Sequence, residues 1–187
     1  VFSGHIDLKF NIIKGLTFTS SNGVDYYNNT SYSFTPQSVN GAGKNSMGNS
    51  NLQRMLLQSS NNITYNHTWN DKHYLTVTGV WEATKSTIRN MGISGSSLQA
   101  ESVGWWDVKN AVTRDATNGY SDWALLSGVG RVIYNYDNRY MLTGTFRADG
   151  SSRFTNDKWG YFPSVAVAWT ASNESFMEST RDLISNL

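Results

Sequence analysis

Apolar and polar residues alternate one by one from Tyr140 to Asp149. One face of this stretch would carry Tyr140, Leu142, Gly144, Phe146 and Ala148. The other face would carry Met141, Thr143, Thr145, Arg147 and Asp149. A period of two predicts a β-strand with one apolar face. Such a strand fits a soluble sheet packed on a core, or a transmembrane barrel with lipid outside and water inside.

The same pattern predicts seven strands along the chain. We expect them at 2–13, 16–27, 52–69, 73–85, 122–136, 139–149 and 159–170. Lys14-Gly15 and Asn70–Lys72 are predicted as tight turns, whereas Asn28–Asn51 and Asn90–Tyr120 are predicted as long polar loops. Short turns alternating with long loops, strands of about ten residues or more and aromatic residues near strand ends are typical of bacterial outer-membrane barrels.

Composition excludes several classes of protein. The 187 residues include no cysteine, which removes disulfides, thiol catalysis and cysteine-based zinc sites. The formal net charge of +1 gives no support for a nucleic-acid partner. The sequence contains no run of about 18 apolar residues, so it predicts no transmembrane helix. The three histidines, His5, His67 and His73, lie outside any metal-binding motif, so we expect surface histidines and no metal site.

Three residues in the second predicted loop, Trp105, Trp106 and Asp107, are the candidates for contact with a substrate or a partner. Exposed aromatic side chains commonly anchor a bound partner, and they can also stack on sugar rings. The alternative is that both tryptophans fold back and pack against their own loop. The sequence leaves both interpretations open.

A run of specific residues extends from Arg139 to Trp169. It contains RYMLTGTFR, DGSSRF and WGYFPSVAVAW in that order. This run resembles the barrel signature of the SusC/RagA family of TonB-dependent outer-membrane transporters. The family is also resembled by further residues on both sides of this run: Ser121–Ser127, Gly130–Val132, Glu174, Phe176, Met177 and Ile184–Leu187. The similarity before Ser121 is looser.

The resemblance implies an all-β fold, an antiparallel transmembrane β-barrel segment of about seven strands within a larger, plugged barrel. Residues 1–187 would be part of one barrel domain, with the plug domain and the remaining strands outside this chain. It also implies that Arg147, Asp149 and Arg153 form a structural group at the extracellular rim. Asp149 as a catalytic acid tuned by the two arginines is the less favoured alternative.

The function implied by the resemblance is uptake of nutrient oligomers across the outer membrane of a Gram-negative bacterium, without an enzymatic step or a cofactor. The expected partners are a SusD-like surface lipoprotein, TonB, outer-membrane lipid and an oligosaccharide or peptide substrate. Two other classes stay open. One is a soluble carbohydrate-binding β-sandwich, and the other is a passive porin or adhesin barrel.

Overall fold

The computed structural model describes residues 1–41 and 43–180. Seven strands pair in sequence order to form one antiparallel sheet. They are β1 (Phe2–Ile13), β2 (Leu16–Thr35), β3 (Ser46–Trp69), β4 (His73–Leu98), β5 (Ala111–Tyr136), β6 (Tyr140–Ser151) and β7 (Trp159–Trp169). Among the described residues, no helix has the length and apolar character needed to cross a bilayer.

Residues that tolerate positive φ make the tight hairpins. Gly15 follows β1 with φ of 84°. Asn70 and Asp71 between β3 and β4 have φ of 49° and 51°, and Asp137 and Asn138 between β5 and β6 have 53° and 54°. Asparagine and aspartate enter this left-handed region more easily than other non-glycine residues, and two such residues in succession fit the twist of a hairpin. The short turns are therefore encoded locally.

The described chain divides into two compact units. The loop-bearing unit comprises Val1–Gly4, Gly23–Leu57 and Lys85–Trp123. The turn-bearing unit comprises His5–Asn22, Gln58–Thr84 and the described chain from Ala124 onward.

Strand register in the turn-bearing unit separates an apolar face from a polar one. Val132 in β5 lies opposite Gly144 in β6, which lies opposite Val165 in β7. The same face carries Leu126, Tyr134, Leu142, Phe146, Tyr161, Val167 and Trp169. The predicted alternation of β6 is thus confirmed and continues across both neighbouring strands.

The polar face of β5 also carries apolar residues. Arg131 lies opposite Thr145, and its Nε donates to Thr145 Oγ1 at 3.2 Å. Val129 and Ile133 share this face because they alternate with the same parity. Strand β5 therefore carries apolar residues on both faces.

The apolar face of the turn-bearing unit has no protein layer over it among the described residues. Val165 and Val167 are 76% and 77% exposed. The buried hydrophobic residues of the described chain are Met47, Leu98 and Ala111, and all three belong to the loop-bearing unit. A soluble sandwich would bury such a face against a second sheet, whereas all seven strands here lie in one sheet.

The loop-bearing unit has its own small core. Met47, Leu98 and Ala111 pack together, with Phe34 and Val108 against them. Gly95 permits this close packing, since a Cβ there would lie 2.7 Å from the Ala111 Cβ.

Polar contacts also order this unit. The buried Asn45 side chain donates to the Leu98 carbonyl at 3.1 Å and accepts from the Leu98 N–H. Both polar groups of the Leu98 backbone are thereby satisfied beside the small core.

The predicted long loops are wrong in extent. Asn28–Asn51 is mostly strand, because β2 continues to Thr35 and β3 begins at Ser46. Asn90–Tyr120 is also mostly strand, leaving a connection at 99–110 with two short 3₁₀ turns, Glu101–Val103 and Val108–Asn110. Both stretches are polar because the strand segments within them lack a clear apolar face. The segment after β7 contains two 3₁₀ turns, Ala171–Asn173 and Ser175–Thr180, and the family-like residues 184–187 lie outside the described residues.

Candidate functional site

Three aromatic rings form a surface cluster in the loop-bearing unit, which we call the aromatic platform: Tyr32, Trp105 and Trp106. The Trp105 and Trp106 ring centroids lie 6.0 Å apart, and Tyr32 lies 6.5 Å from Trp105 and 6.4 Å from Trp106. Trp106 is 79% exposed, and Tyr32 and Trp105 are 55% and 37% exposed. The tryptophans therefore pack on a strand residue while keeping open ring surface.

Hydrogen bonds hold the platform in place. Asn49 on β3 donates from Nδ2 to the Trp105 carbonyl at 3.0 Å. The Asn49 Oδ1 is buried and has no partner among the described residues. The Gln37 N–H donates to Glu101 Oε1 at 2.7 Å, which joins the connection after β2 to the one after β4. The 99–110 connection is thus braced from two neighbouring segments.

Asp107 caps the turn that follows the tryptophans. Its carboxylate accepts from the Lys109 N–H at 2.9 Å, as the N-cap of the 3₁₀ turn Val108–Asn110. Capping by an aspartate satisfies a backbone donor that the turn cannot pair internally. Asp107 remains exposed, so it has a structural role without being removed from the surface.

The signature residues occupy a different place, in the turn-bearing unit. Arg147 Nε donates to Asp149 Oδ2 at 2.7 Å and to Oδ1 at 2.9 Å. Both side chains lie on the polar face of β6, with Ser127 opposite Asp149. Arg153 lies in the connection after β6, where its backbone N–H donates to Ser151 Oγ at 3.3 Å. Arg147 and Asp149 are brought together, whereas the platform is a separate surface.

A third polar group lies after β7. Glu174 accepts from Trp169 Nε1 at 3.1 Å, and its other oxygen is 3.5 Å from Arg139 Nη1. Hydrogen bonds from the Tyr140 hydroxyl and then from Trp169 lower the pKa of the Glu174 carboxyl, and Arg139 adds to this effect. Asn173 Nδ2 also donates to the Asn138 carbonyl at 2.9 Å. These contacts attach the segment after β7 to the β5–β6 turn.

The described ranges 1–41 and 43–180 contain no candidate metal site, because no three His, Asp or Glu residues there are placed to hold an ion. His73 is engaged elsewhere: its ring stacks on Trp69 with centroids 5.1 Å apart, and Nδ1 lies 2.7 Å from the Tyr134 hydroxyl.

Comparisons with known proteins point in one direction. No family model matches the chain. TonB-dependent receptor P39 of Formosa agariphila is 34% identical over 88% of this chain and 16% of the receptor. TonB-dependent receptor SusC of Bacteroides thetaiotaomicron is 47% identical over 32% of this chain and 6% of the receptor. A structure of the RagAB peptide transporter matches with a TM-score of 0.84 at 21% identity, over 94% of this chain and 20% of the solved chain.

The chain is a β-barrel segment of a SusC/RagA-family TonB-dependent receptor. It spans less than a fifth of the length of the curated relatives that it matches. The described strands lie in a single sheet, which contradicts the soluble β-sandwich alternative.

Sequence reasoning missed two residues of the receptor's platform region. Tyr32 and Asn49 both fall within a predicted loop, although each lies on a strand beside the tryptophans. The signal was present: Tyr32 and Phe34 alternate with Ser31 and Ser33. Such weak alternation, with serine on one side, is easily obscured in a polar stretch.

Proposed function

We propose that this segment forms part of the wall of an outer-membrane active transporter that imports nutrient oligomers, with glycans as the favoured substrate class. The plug domain and the other strands would lie elsewhere in the receptor. TonB would supply the energy through those parts, and a SusD-like surface lipoprotein would bind the receptor at its outer side. The segment itself would have no catalytic step and no cofactor.

The observation that carries this proposal is the uncovered apolar face of β5, β6 and β7. Exposed valines such as Val165 and Val167 are stable in lipid, whereas in water they would favour aggregation. The opposite face carries Arg131, Arg147 and Asp149, which need water or polar partners. An apolar outside and a polar inside are the arrangement of a membrane barrel.

The aromatic platform supports an oligomeric cargo or a protein lid at the extracellular end. A flat, exposed surface of three rings offers large apolar area together with polar ring edges. We place Trp105, Trp106 and Asp107 at the surface that faces the substrate or the lipoprotein. We place Arg147, Asp149 and Arg153 at the extracellular rim as structural residues. Arg147 and Asp149 pair with each other, and such a partly exposed ion pair contributes little binding energy of its own.

The test is uptake by the full-length receptor in its native host. Labelled oligosaccharides and labelled peptides are offered to cells that carry wild-type receptor, Trp106→Ala or Trp106→Phe. We expect oligosaccharide uptake that needs TonB, falls with Trp106→Ala and is retained with Trp106→Phe, because phenylalanine keeps a stacking ring. Surface protein must be equal in all three strains.

Other outcomes separate the alternatives. Uptake of peptides but not oligosaccharides would overturn the substrate class. Uptake that persists without TonB would overturn active transport. Unchanged uptake with Trp106→Ala, together with unchanged retention of the co-purified lipoprotein, would remove the platform from both roles.

A further inference from the structure

A cavity of about 400 Å³ opens among β3, β4 and β5 in the loop-bearing unit. Arg89 and Tyr120 both line it, with the Arg89 guanidinium carbon 5.8 Å from the centre of the Tyr120 ring. A cation held over an aromatic face is fixed in position but keeps N–H donors at its edge. The cavity is within the size range of small-molecule sites.

Most polar side chains of this cavity have no hydrogen-bond partner in the described part of the chain. Asn51 is the exception, because its Nδ2 donates to Asn28 Oδ1 and Thr30 Oγ1. Arg89 makes no ion pair in the described part of the chain. The carboxamides of Gln53, Asn90 and Asn118 line the cavity and make no side-chain hydrogen bond with the described residues. A guanidinium and three carboxamides match a ligand that has a negative charge and several oxygen acceptors.

Apolar surface lies beside the cavity on the same face of β3. Met55 and Leu57 alternate with the same parity as Gln53, and each is 40% exposed. The ligand that fits both features has an anionic head and an apolar tail. We propose that the cavity binds the phosphorylated headgroup of an outer-membrane glycolipid, whose acyl chain lies along Met55 and Leu57.

The charge of the cavity lining agrees with this assignment. Lys85 has the same parity as Arg89 in β4, and Asp122 has the same parity as Tyr120 in β5. Neither residue lines the cavity, so Arg89 is the charged residue among the lining residues and makes the cavity positive. A phosphate pairs with a planar guanidinium through two parallel hydrogen bonds, which makes arginine the better residue for this role than lysine.

The inference depends on the proposed position of the segment in the outer membrane. It is tested with the full-length receptor purified in detergent, by native mass spectrometry of bound lipid. The probes are lipid A, lipid A from which the phosphates have been removed, and inorganic phosphate. The variants are Arg89→Gln and Arg89→Lys, with Arg54→Gln as the matched control, because Arg54 has the opposite parity to Gln53 on β3.

We expect wild type and Arg54→Gln to bind lipid A equally, Arg89→Gln to bind at least about tenfold more weakly, and Arg89→Lys to fall between them. Dephosphorylated lipid A should bind the wild type weakly. Equal binding by wild type and folded Arg89→Gln would overturn the proposal. So would inorganic phosphate that binds as tightly as lipid A, which would indicate a free-anion site.

If Arg89→Gln does not fold, the binding of lipid A and of dephosphorylated lipid A to the wild type still tests whether the phosphates are recognised. Uptake by wild-type cells is measured in parallel. Failed uptake with retained lipid A binding would overturn the proposed transport alone, and normal uptake without lipid A binding would overturn the lipid site alone.

Discussion

An arginine placed on the apolar face of β7 should destabilise the receptor far more than one placed on the neighbouring polar face. Val165 lies on the apolar face, opposite Gly144, and is 76% exposed in this chain. Ser164 is its neighbour on the other face, opposite Thr145. Val165→Arg and Ser164→Arg therefore make a matched pair at nearly the same depth.

The length of β7 sets the expected size of the effect. Its 11 residues run from Trp159 to Trp169, and both ends are aromatic. Ten steps of about 3.4 Å, tilted by about 40°, span roughly 26 Å, close to the ~25 Å apolar band of such barrels. Val165 is one residue from the middle of this strand, so its height is within about 3 Å of the midplane.

Arginine near the midplane costs about 2–4 kcal/mol, and the cost falls to about 0–1 kcal/mol near the interfaces. We expect Val165→Arg to lower the free energy of unfolding by about 2–4 kcal/mol, whereas Ser164→Arg should lower it by less than about 1 kcal/mol because its side chain enters water.

The assay is equilibrium guanidinium unfolding of the full-length receptor folded into phosphatidylcholine vesicles, followed by tryptophan fluorescence, with equal denaturant slopes required. An equal loss of unfolding free energy in the two variants, or a larger loss in Ser164→Arg, would refute the assignment of the faces.

Three further predictions concern the turns, the small core and the segment after β7. Gly15→Ala should lower the free energy of unfolding by about 1–3 kcal/mol, because φ is 84° there and a Cβ would meet the Asn66 carbonyl. Gly130→Ala should be nearly neutral in the same unfolding assay, because a Cβ there meets nothing within 4 Å. Leu98→Ala should destabilise the receptor by about 2–5 kcal/mol, since Leu98 is 6% exposed, and a shift within error would argue against an ordered core. The pKa of Glu174 is lowered in the folded state from its ordinary value of 4.5. Its carboxylate therefore stabilises the folded receptor fully above that ordinary value, and this stabilisation is lost as the pH falls through the lowered pKa. The stability difference between wild type and Glu174→Gln should therefore be constant at neutral pH and shrink in acid; a difference that grows in acid would show the opposite sign.

The alternation of β6 and the turn residues made much of the fold predictable. Strand β1 was predicted with the observed bounds, and the family-like residues from Arg139 onward placed β6 and β7 to within two residues. These stretches combine a clear apolar face with residues that have a single good conformation at each turn. Local chemistry and register therefore specify the same structure.

The extensions of β2, β3, β4 and β5 were not predictable from the same signals. Their residues are serine, asparagine and glycine on much of both faces, so the period of two is weak. Pairing with neighbouring strands and the contact of Gly95 with Ala111 fix these segments through tertiary structure. The platform could be predicted only in part, because Tyr32 is far from Trp105 in sequence and meets it only through that pairing.

Cysteine scanning of β7 tests most directly whether the apolar face lies in lipid and the polar face in water. The segment contains no native cysteine, so single cysteines at positions 161–168 of an otherwise cysteine-free receptor can each carry a spin label. In liposomes, we predict that labels at the odd positions collide with oxygen, which partitions into lipid, and that labels at the even positions collide with a water-soluble nickel chelate. Equal accessibility along the strand, or alternation with the opposite phase, would contradict the assignment of the apolar face to lipid and of the polar face to water.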